Sequence, residues 1–555
     1  MAADSLPSGH NVKKNSLILV SLYAMGRIKW IWGEDCEEFK PEIWIAEDGG
    51  FKNHPGNKFS AFNSRPRICP GRKFYRNSNK LALRHLPIFG LLPEVLLDLH
   101  LFHDKLSKIL RTRKGTILIN YWLSPNSILL TSDPANVHYM LTTNFSRYPK
   151  GSEWRKRFDV FGHGLFNSDF EEWTLQRKAA RGFLTHAKFH QLTAKSVPEI
   201  IEEGLIPVLE HACKKDLAVD LQDLIKRYTF DYATIIASGC NSKSLSVELP
   251  EIPFSKALDD AGEAIFFRHI VPETLWKLQR WLRIGKERKY RDGWRVIDEF
   301  YQNLVNKQEP SKDEESFNVL NLYLNRNEIL QPRDNDEEVM RDNIISLIFA
   351  AEDTTSTAIS WFFWLVSKNP EAISKIREEL KLNAAPKDAN KGDKDRPRSF
   401  DFDELSNLVY LHAALCESLR LFPSIPYETR TPTQQDKLPS GHRVNQKTIV
   451  IICSYAMGRM PSVWGEDCHE FKPERWITEE GKIKHEPSHK FFAFNTRPRM
   501  CPGKEIAFVV MKAIAAAIIY NYDIQVLENP PVIPSLSISL RMKHGLMVRV
   551  KRKSS

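Results

Sequence analysis

The chain has 555 residues, 42% hydrophobic and 27% charged, a composition that excludes a disordered or fibrous polymer and allows a large buried core. Its 79 Lys and Arg against 69 Asp and Glu leave a net charge of +10, a mild excess that suits an anionic membrane surface or an acidic protein partner; no run of aromatics interleaved with Arg points to nucleic acid. The eight cysteines form no CxxC and no Cys/His pair at zinc spacing, so reduced thiols are expected rather than a disulfide scaffold or a zinc site.

The N-terminal region holds a short apolar stretch at Ser16–Met25. It is well below the ~20 apolar residues of a spanning helix and lacks the small-residue cleavage pattern of a signal peptide. The sequence then repeats itself at a distance: Tyr23–Gly71 aligns with Tyr455–Gly503 without a gap, with 32 of 49 positions identical. "FNSRPRICPG" from Phe62 answers "FNTRPRMCPG" from Phe494. Such separation is not a solenoid but a duplicated fragment.

From about Asn77, "HLPIFGLLPEVL" has the punctuation of an entry segment, followed by helix to about Thr112. "GTILINYWLSPNSILLTS" alternates and predicts a strand pair turning at Pro125–Asn126. Helices then dominate, one at Trp173–His186 and others within Lys195–Ser238. Ile344–Val366 is long and apolar but contains Glu352 and Asp353; carboxylates are costly in lipid, so a buried core helix is expected. Pro386–Phe400 reads as a polar loop, Asn407–Leu421 as a helix stopped by Pro423, 431–453 as strand, 459–490 as irregular, and Gly503–Tyr520 as helix. The fold class is mainly α with small β-sheets.

Cys501 follows Arg499, precedes Pro502 and Gly503, and opens onto an apolar helix. A thiolate there gains from the helix dipole and nearby amides, Pro502 suits the first helical position, and Gly503 allows close approach of a flat ligand. An inert buried cysteine is the alternative. The loop resembles the haem-ligand loop of the cytochromes P-450, with Phe494, Arg499, Cys501 and Gly503 matching and Arg497 standing where the pattern has glycine. Four more motifs follow in family order over residues 77–555: "WTLQR" with Trp173 and Arg177, "AAEDTTS" at Ala350–Ser356, "ESLR" with Glu417 and Arg420, and "FKPERW" with Arg475.

The resemblance implies a triangular helical prism around haem b, with Cys501 as the axial iron ligand. Trp173, Arg177 and Arg499 are then expected at the haem propionates, and Phe494 and Gly503 against the cofactor. Asp353 and Thr354 would relay protons to dioxygen, and Glu417, Arg420 and Arg475 would form a buried structural cluster. No dinucleotide fingerprint is present, so a separate NADPH–cytochrome P-450 reductase is implied as electron donor. "SYAMGRMPSVWGEDCHEFKPERWI" and "GKEIAFVVMKAIAAAIIYNYDIQV" are similar to the plant fatty-acid ω-hydroxylase and mid-chain alkane hydroxylase group. This implies a long apolar substrate and the cytosolic face of the endoplasmic reticulum membrane.

Departures from the pattern qualify this. Arg497 would add strain if its turn needs φ > 0, Ala351 adds a methyl where a smaller residue is usual, and Pro502 removes one amide from the sulfur. In the first copy, Ile43 stands where the second has Arg475. No Glu-x-x-Arg helix precedes it, so residues 1–76 read as a partial, non-functional or mis-joined duplicate and Cys69 as a relic. The alternative is a degenerate haem-binding pseudoenzyme without turnover.

Overall fold

The computed structural model describes residues 4–5, 8, 10–12, 21–38, 40–45, 52, 101–120, 127–307, 317–324, 336–384 and 397–553. Cys69, Arg65, the entry segment before residue 101, the turn at Pro125–Asn126 and most of the polar loop at Pro386–Phe400 lie outside the described residues. The chain divides into two units, Met1–Leu83 and Arg84–Ser555.

Among its described residues, the smaller unit repeats the local structure of its distant copy. Helical turns at Leu22–Met25, Lys29–Trp32 and Pro41–Trp44 correspond to turns at Ser454–Met457, Pro461–Trp464 and Pro473–Trp476 in the larger unit. The Cys36 thiol donates to the Arg27 carbonyl as Cys468 does to Arg459. Trp32 meets Trp44 at 6.0 Å, and Trp464 meets Trp476 at 5.6 Å. Burial differs: Trp476 is fully buried, whereas Trp44 is half-buried and Ile43 exposed. Similar residues set the same turns, and among the described residues only those of the larger unit are packed into a core.

In the larger unit, α1 (Phe102–Thr112) leads into β1 (Thr116–Asn120) and β2 (Ser127–Thr131), an antiparallel pair. Helix α2 is Phe170–Leu184, starting three residues before the sequence-based estimate. Helices α3 (Leu221–Ser238), α4 (Pro253–Ile270), α5 (Glu273–Leu282) and α6 (Gly285–Asn306) follow. The 32-residue α7 (Asp336–Ser367) runs through the core, packed along α3. Its hydroxyl residues stay helical by bonding back one turn, as Ser356 to the Glu352 carbonyl at 2.7 Å and Ser360 to that of Ser356 at 2.7 Å.

Helix α8 (Val409–Leu421) ends at Phe422, because Pro423 disfavours helical geometry in the residue before it. Strands β3 (Tyr427–Arg430) and β4 (Thr448–Cys453) complete a four-stranded sheet in the order β1–β2–β4–β3. Strand β4 runs parallel to β2, with Ser127 opposite Thr448, and antiparallel to β3. A second sheet joins Ala218–Asp220, Tyr522–Val526 and Met547–Arg552. Helix α9 is Lys504–Asn521, alanine-rich and buried along most of its length, as a core helix that is apolar all round must be. The expectation of Pro502 at the first helical position is corrected: the helix starts at Lys504, with Gly503 as its cap. The segment read as irregular at 459–490 contains the two short turns named above.

Candidate active site

Cys501 lies at the end of a loop held from both sides. Its amide donates to the Phe494 carbonyl at 2.8 Å. Phe494 packs on Phe508 of α9 at 5.3 Å. Arg177 of α2 donates to the carbonyl of Met500, so it braces the loop one residue before the cysteine. The Cys501 side chain is open to water-sized molecules yet crowded by chain on its other sides. Burial pushes its thiol up, and the Gly503 amide and the charges of Arg177 and Lys504 pull it back. Pro502 has no amide to offer, so Gly503 supplies the donor. Gly503 has φ −88°, which any residue adopts; a Cβ there would stand 4.0 Å from the sulfur. Backbone geometry therefore does not require glycine here, and a methyl would only touch the sulfur at ordinary contact distance.

The strain expected at Arg497 is corrected. The exposed Arg497 is not among the residues of positive φ; Asn495, at φ 60° and ψ −172°, is. The tight part of the loop thus sits two residues earlier than the missing glycine suggests.

Beside the loop is a buried group of charges from four elements. Arg499 donates to the Ser168 carbonyl at 3.0 Å and the Asp169 carboxylate at 2.6 Å. Its guanidinium lies 4.7 Å from the ring centre of Trp173, a cation–π contact. Arg430, at the end of β3, pairs with Glu428 and donates to the Thr429 carbonyl at 2.6 Å. The ammonium of Lys150 donates to Phe166 at 2.6 Å and covers the Trp154 and Phe166 rings. Burial pushes Lys150 down to about 7, the charges of Arg499 and Arg430 adding to the effect against Glu428 and Asp169. Burial likewise lowers Arg499 to about 10, helped by the charge of Arg430.

Three cations, Lys150, Arg430 and Arg499, thus share two carboxylates, Glu428 and Asp169. Nε and Nη2 of Arg430 and Nε of Arg499 are buried without a hydrogen bond. Surplus buried cations with unpaired donors are costly unless an anion meets them. A thiol for a metal beside donors for carboxylates fits haem, an iron porphyrin with two propionates. Sequence reasoning missed Lys150, Asp169, Glu428 and Arg430. Glu428 and Arg430 share β3, while Lys150 and Asp169 stand alone on other parts of the chain, and no local pattern marks any of the four.

Helix α7 carries a partly open stripe of its own. Leu347, Ala350, Ala351 and Thr354 fall on one face and are partly or fully open, although Glu352, Asp353 and Thr355 beside them are buried. The Thr354 hydroxyl donates to the Ala350 carbonyl at 2.7 Å, and Ser424 donates to the Thr354 carbonyl at 2.6 Å. Asp353 does not share this open face with Thr354: its carboxylate lies 3.8 Å from Arg541, and burial pushes its carboxyl up.

Glu417 and Arg420 meet on the inner face of α8, fully buried, through two bonds of 2.8 Å. Arg475 approaches the same carboxylate at 3.5 Å. Trp476 donates to it at 2.8 Å and the Lys472 amide at 3.0 Å. Arg420 also donates to the carbonyls of Cys468 at 2.6 Å and Glu470 at 2.9 Å, which ties α8 to the segment leading into the cysteine loop.

Comparison with known proteins gives the family. A family profile described as Cytochrome P450 matches residues 2–86 and 82–549. The chain is 41% identical to Alkane hydroxylase MAH1 of Arabidopsis thaliana over 483 residues, 85% of this chain and 93% of the relative. It is 38% identical to Noroxomaritidine synthase 2 of Narcissus pseudonarcissus over 86% of this chain and 93% of the relative. It is 39% identical to Cytochrome P450 86B1 of Arabidopsis thaliana over 84% of this chain and 85% of the relative. The chain belongs to the cytochrome P450 family. It is a monooxygenase of the mainly helical P450 fold whose cofactor is haem, with dioxygen as co-substrate and electrons supplied by a reductase. The degenerate alternative is not favoured.

Proposed function

We propose that the enzyme hydroxylates long-chain aliphatic substrates, alkanes or fatty acids. The observation that supports this most is the 41% identity to an alkane hydroxylase along most of both chains. The apolar, partly open stripe of Leu347, Ala350 and Ala351 is consistent with it, since an unbranched chain needs dispersion contacts and no polar anchor.

In this reading Cys501 holds the iron and donates electron density through its sulfur. Arg430, Arg499 and Lys150 would hold the propionates, with Trp173 stacked on Arg499, while Arg177 braces the loop at the Met500 carbonyl. Bound haem supplies an iron centre that activates dioxygen. Thr354 presents a hydroxyl on this open face, and Asp353 is the carboxyl that keeps it supplied with protons. Residues 1–76 take no part. The electron donor is NADPH–cytochrome P450 reductase. The test is turnover with that reductase on a panel of long alkanes, long fatty acids and rigid polycyclic aromatics. Hydroxylated alkane or fatty acid is the expected product; turnover of the polycyclic compounds alone would refute the substrate class.

The setting is the cytosolic face of the endoplasmic reticulum membrane. Among the described residues no helix is long and apolar enough to cross a membrane. Helix α5 offers a surface contact instead: Leu278, Trp281 and Leu282, with Ile284 just beyond, are exposed, Trp281 at 76%. Lys277, Arg280 and Arg283 flank them, Lys277 already paired with Glu273 and Arg280 with Asp159 and Glu287. Exposed apolar side chains rimmed by cations suit the headgroup boundary of anionic lipid. Trp281→Glu is expected to weaken sedimentation with phosphatidylserine vesicles by roughly tenfold or more, with haem content unchanged.

A further inference from the structure

Behind α7, on the side of Glu352 and Asp353, lies an open pocket of 780 Å³ lined by Lys226, Ser255, Asp259 and Arg541 among others. Ser255, Lys226 and Arg541 also approach the two buried carboxyls of α7, and Asp259 competes with those carboxyls for the two cations. Ser255 of α4 donates to Glu352. Lys226 of α3 lies 2.5 Å from Asp259 and 3.8 Å from Glu352. Arg541 pairs with Asp259 and lies 3.8 Å from Asp353. Ser539, next to Arg541, faces the Asp353 carboxyl.

The charges do not balance. Asp259, Glu352 and Asp353 share only Lys226 and Arg541. Asp259 has the short contacts to both: burial raises its carboxyl, but the two cations outweigh that and hold it low. Glu352 and Asp353 are left with contacts of 3.8 Å, and one oxygen of each is buried without a hydrogen bond. Two buried carboxyls left with so little positive charge cannot both ionise cheaply, and holding one of them protonated is the ordinary outcome. Burial pushes Glu352 up to about 7, Lys226 and Ser255 opposing and Asp259 and Asp353 adding to the rise. The proton therefore resides on Glu352 below neutrality and leaves as pH rises through about 7.

We propose that Glu352 is the proton reservoir of this enzyme, refilled from water in the pocket through the Ser255 hydroxyl and emptied towards Asp353. One O–H bond breaks at Glu352 and one forms at an Asp353 oxygen; the Ser255 hydroxyl then passes its proton to Glu352 and takes another from hydronium or a buffer acid in the pocket water, and no electrons move. Successive helix positions point about 100° apart, so the transfer passes through a bridging water rather than directly. The inference rests on the reading of Asp353 as the proton donor to Thr354.

Glu352→Gln retains the shape and the bond to Ser255 but not the proton, so a purely structural role would survive it. The experiment compares wild type, Glu352→Gln, Glu352→Asp, Ser255→Ala and Asp353→Asn as haem-loaded enzyme with reductase, reading product formed per NADPH oxidised against pH. Infrared spectra of the resting enzyme follow the protonated carboxyl. Wild type should lose coupling as pH rises through about 7. In Glu352→Gln coupling should fall about tenfold or more, without that inflection and without the titrating carboxyl band, and Glu352→Asp should restore part of it. Ser255→Ala should lower coupling in the same direction, and it decides the matter should Glu352→Gln fail to take up haem. Wild-type coupling and inflection in Glu352→Gln, or in Ser255→Ala if only that variant loads, would overturn the reservoir while a defective Asp353→Asn left the Asp353 reading standing. A fully coupled Asp353→Asn would overturn that reading itself.

Discussion

Cys501→Ser is expected to remove the thiolate absorbance of the reduced carbon monoxide complex and to reduce turnover to background, whereas Cys69→Ser changes neither. A serine oxygen cannot supply the soft, electron-rich donor that a thiolate gives iron. The expected silence of Cys69 comes from what its copy lacks. The two copies fold the same local turns, down to the thiol bond of Cys36 and Cys468. In the second copy those turns are anchored by Glu417 through Lys472, Arg475 and Trp476. The first copy has Ile43 where the second has Arg475. Spectra of the two variants settle the matter; a thiolate band that survives Cys501→Ser, or disappears in Cys69→Ser, contradicts the one-site enzyme.

Glu417→Ala should produce the second large effect, through stability. The carboxylate is fully buried and accepts from Arg420 twice, Trp476 and the Lys472 amide, with Arg475 at longer range. Removing it leaves Arg420 buried without its counter-charge, which costs about 3–5 kcal/mol when one partner of a buried pair is deleted. The loss should appear as a lower denaturant midpoint and as haem content well below one per chain, because Arg420 also carries the carbonyls of Cys468 and Glu470. Asp467→Asn, which removes the outer partner of Arg475 at 3.0 Å on the solvent side, is the control and should leave the midpoint nearly unchanged. Equal losses in the two variants would show that burial is not what makes the cluster matter.

Several parts of this architecture are legible in the sequence because they are local. The i, i+3 spacing of Glu417 and Arg420 fixes a shared helix face, Pro423 ends α8, and alternation marks β1 and β2. Other parts arise only when distant elements meet. Nothing local in "YPKG" tells that Lys150 becomes a buried cation, or that Asp169 will receive Arg499 from 330 residues further on. The proximity of Glu352 to a solvent pocket depends on α3, α4 and the segment around Arg541 closing over α7. The Arg497 expectation illustrates a different limit. A missing glycine shows that a turn has changed, but which residue takes the unusual φ depends on the packing of the whole loop, and here it is Asn495.

The parallel pairing of β2 with β4 also sets a timetable. Thr131 ends one strand and Thr448 begins its neighbour, so the ribosome adds more than three hundred residues between them. At ~5–20 residues per second that is roughly 15–60 s, during which β2 can pair with β1 but its other edge has no partner. The sheet therefore closes late in synthesis, after most of the helices exist. An unpaired apolar edge of that age is a target for chaperones and for other nascent chains. Expression conditions that slow elongation should lower the yield of soluble enzyme more than its finished stability suggests.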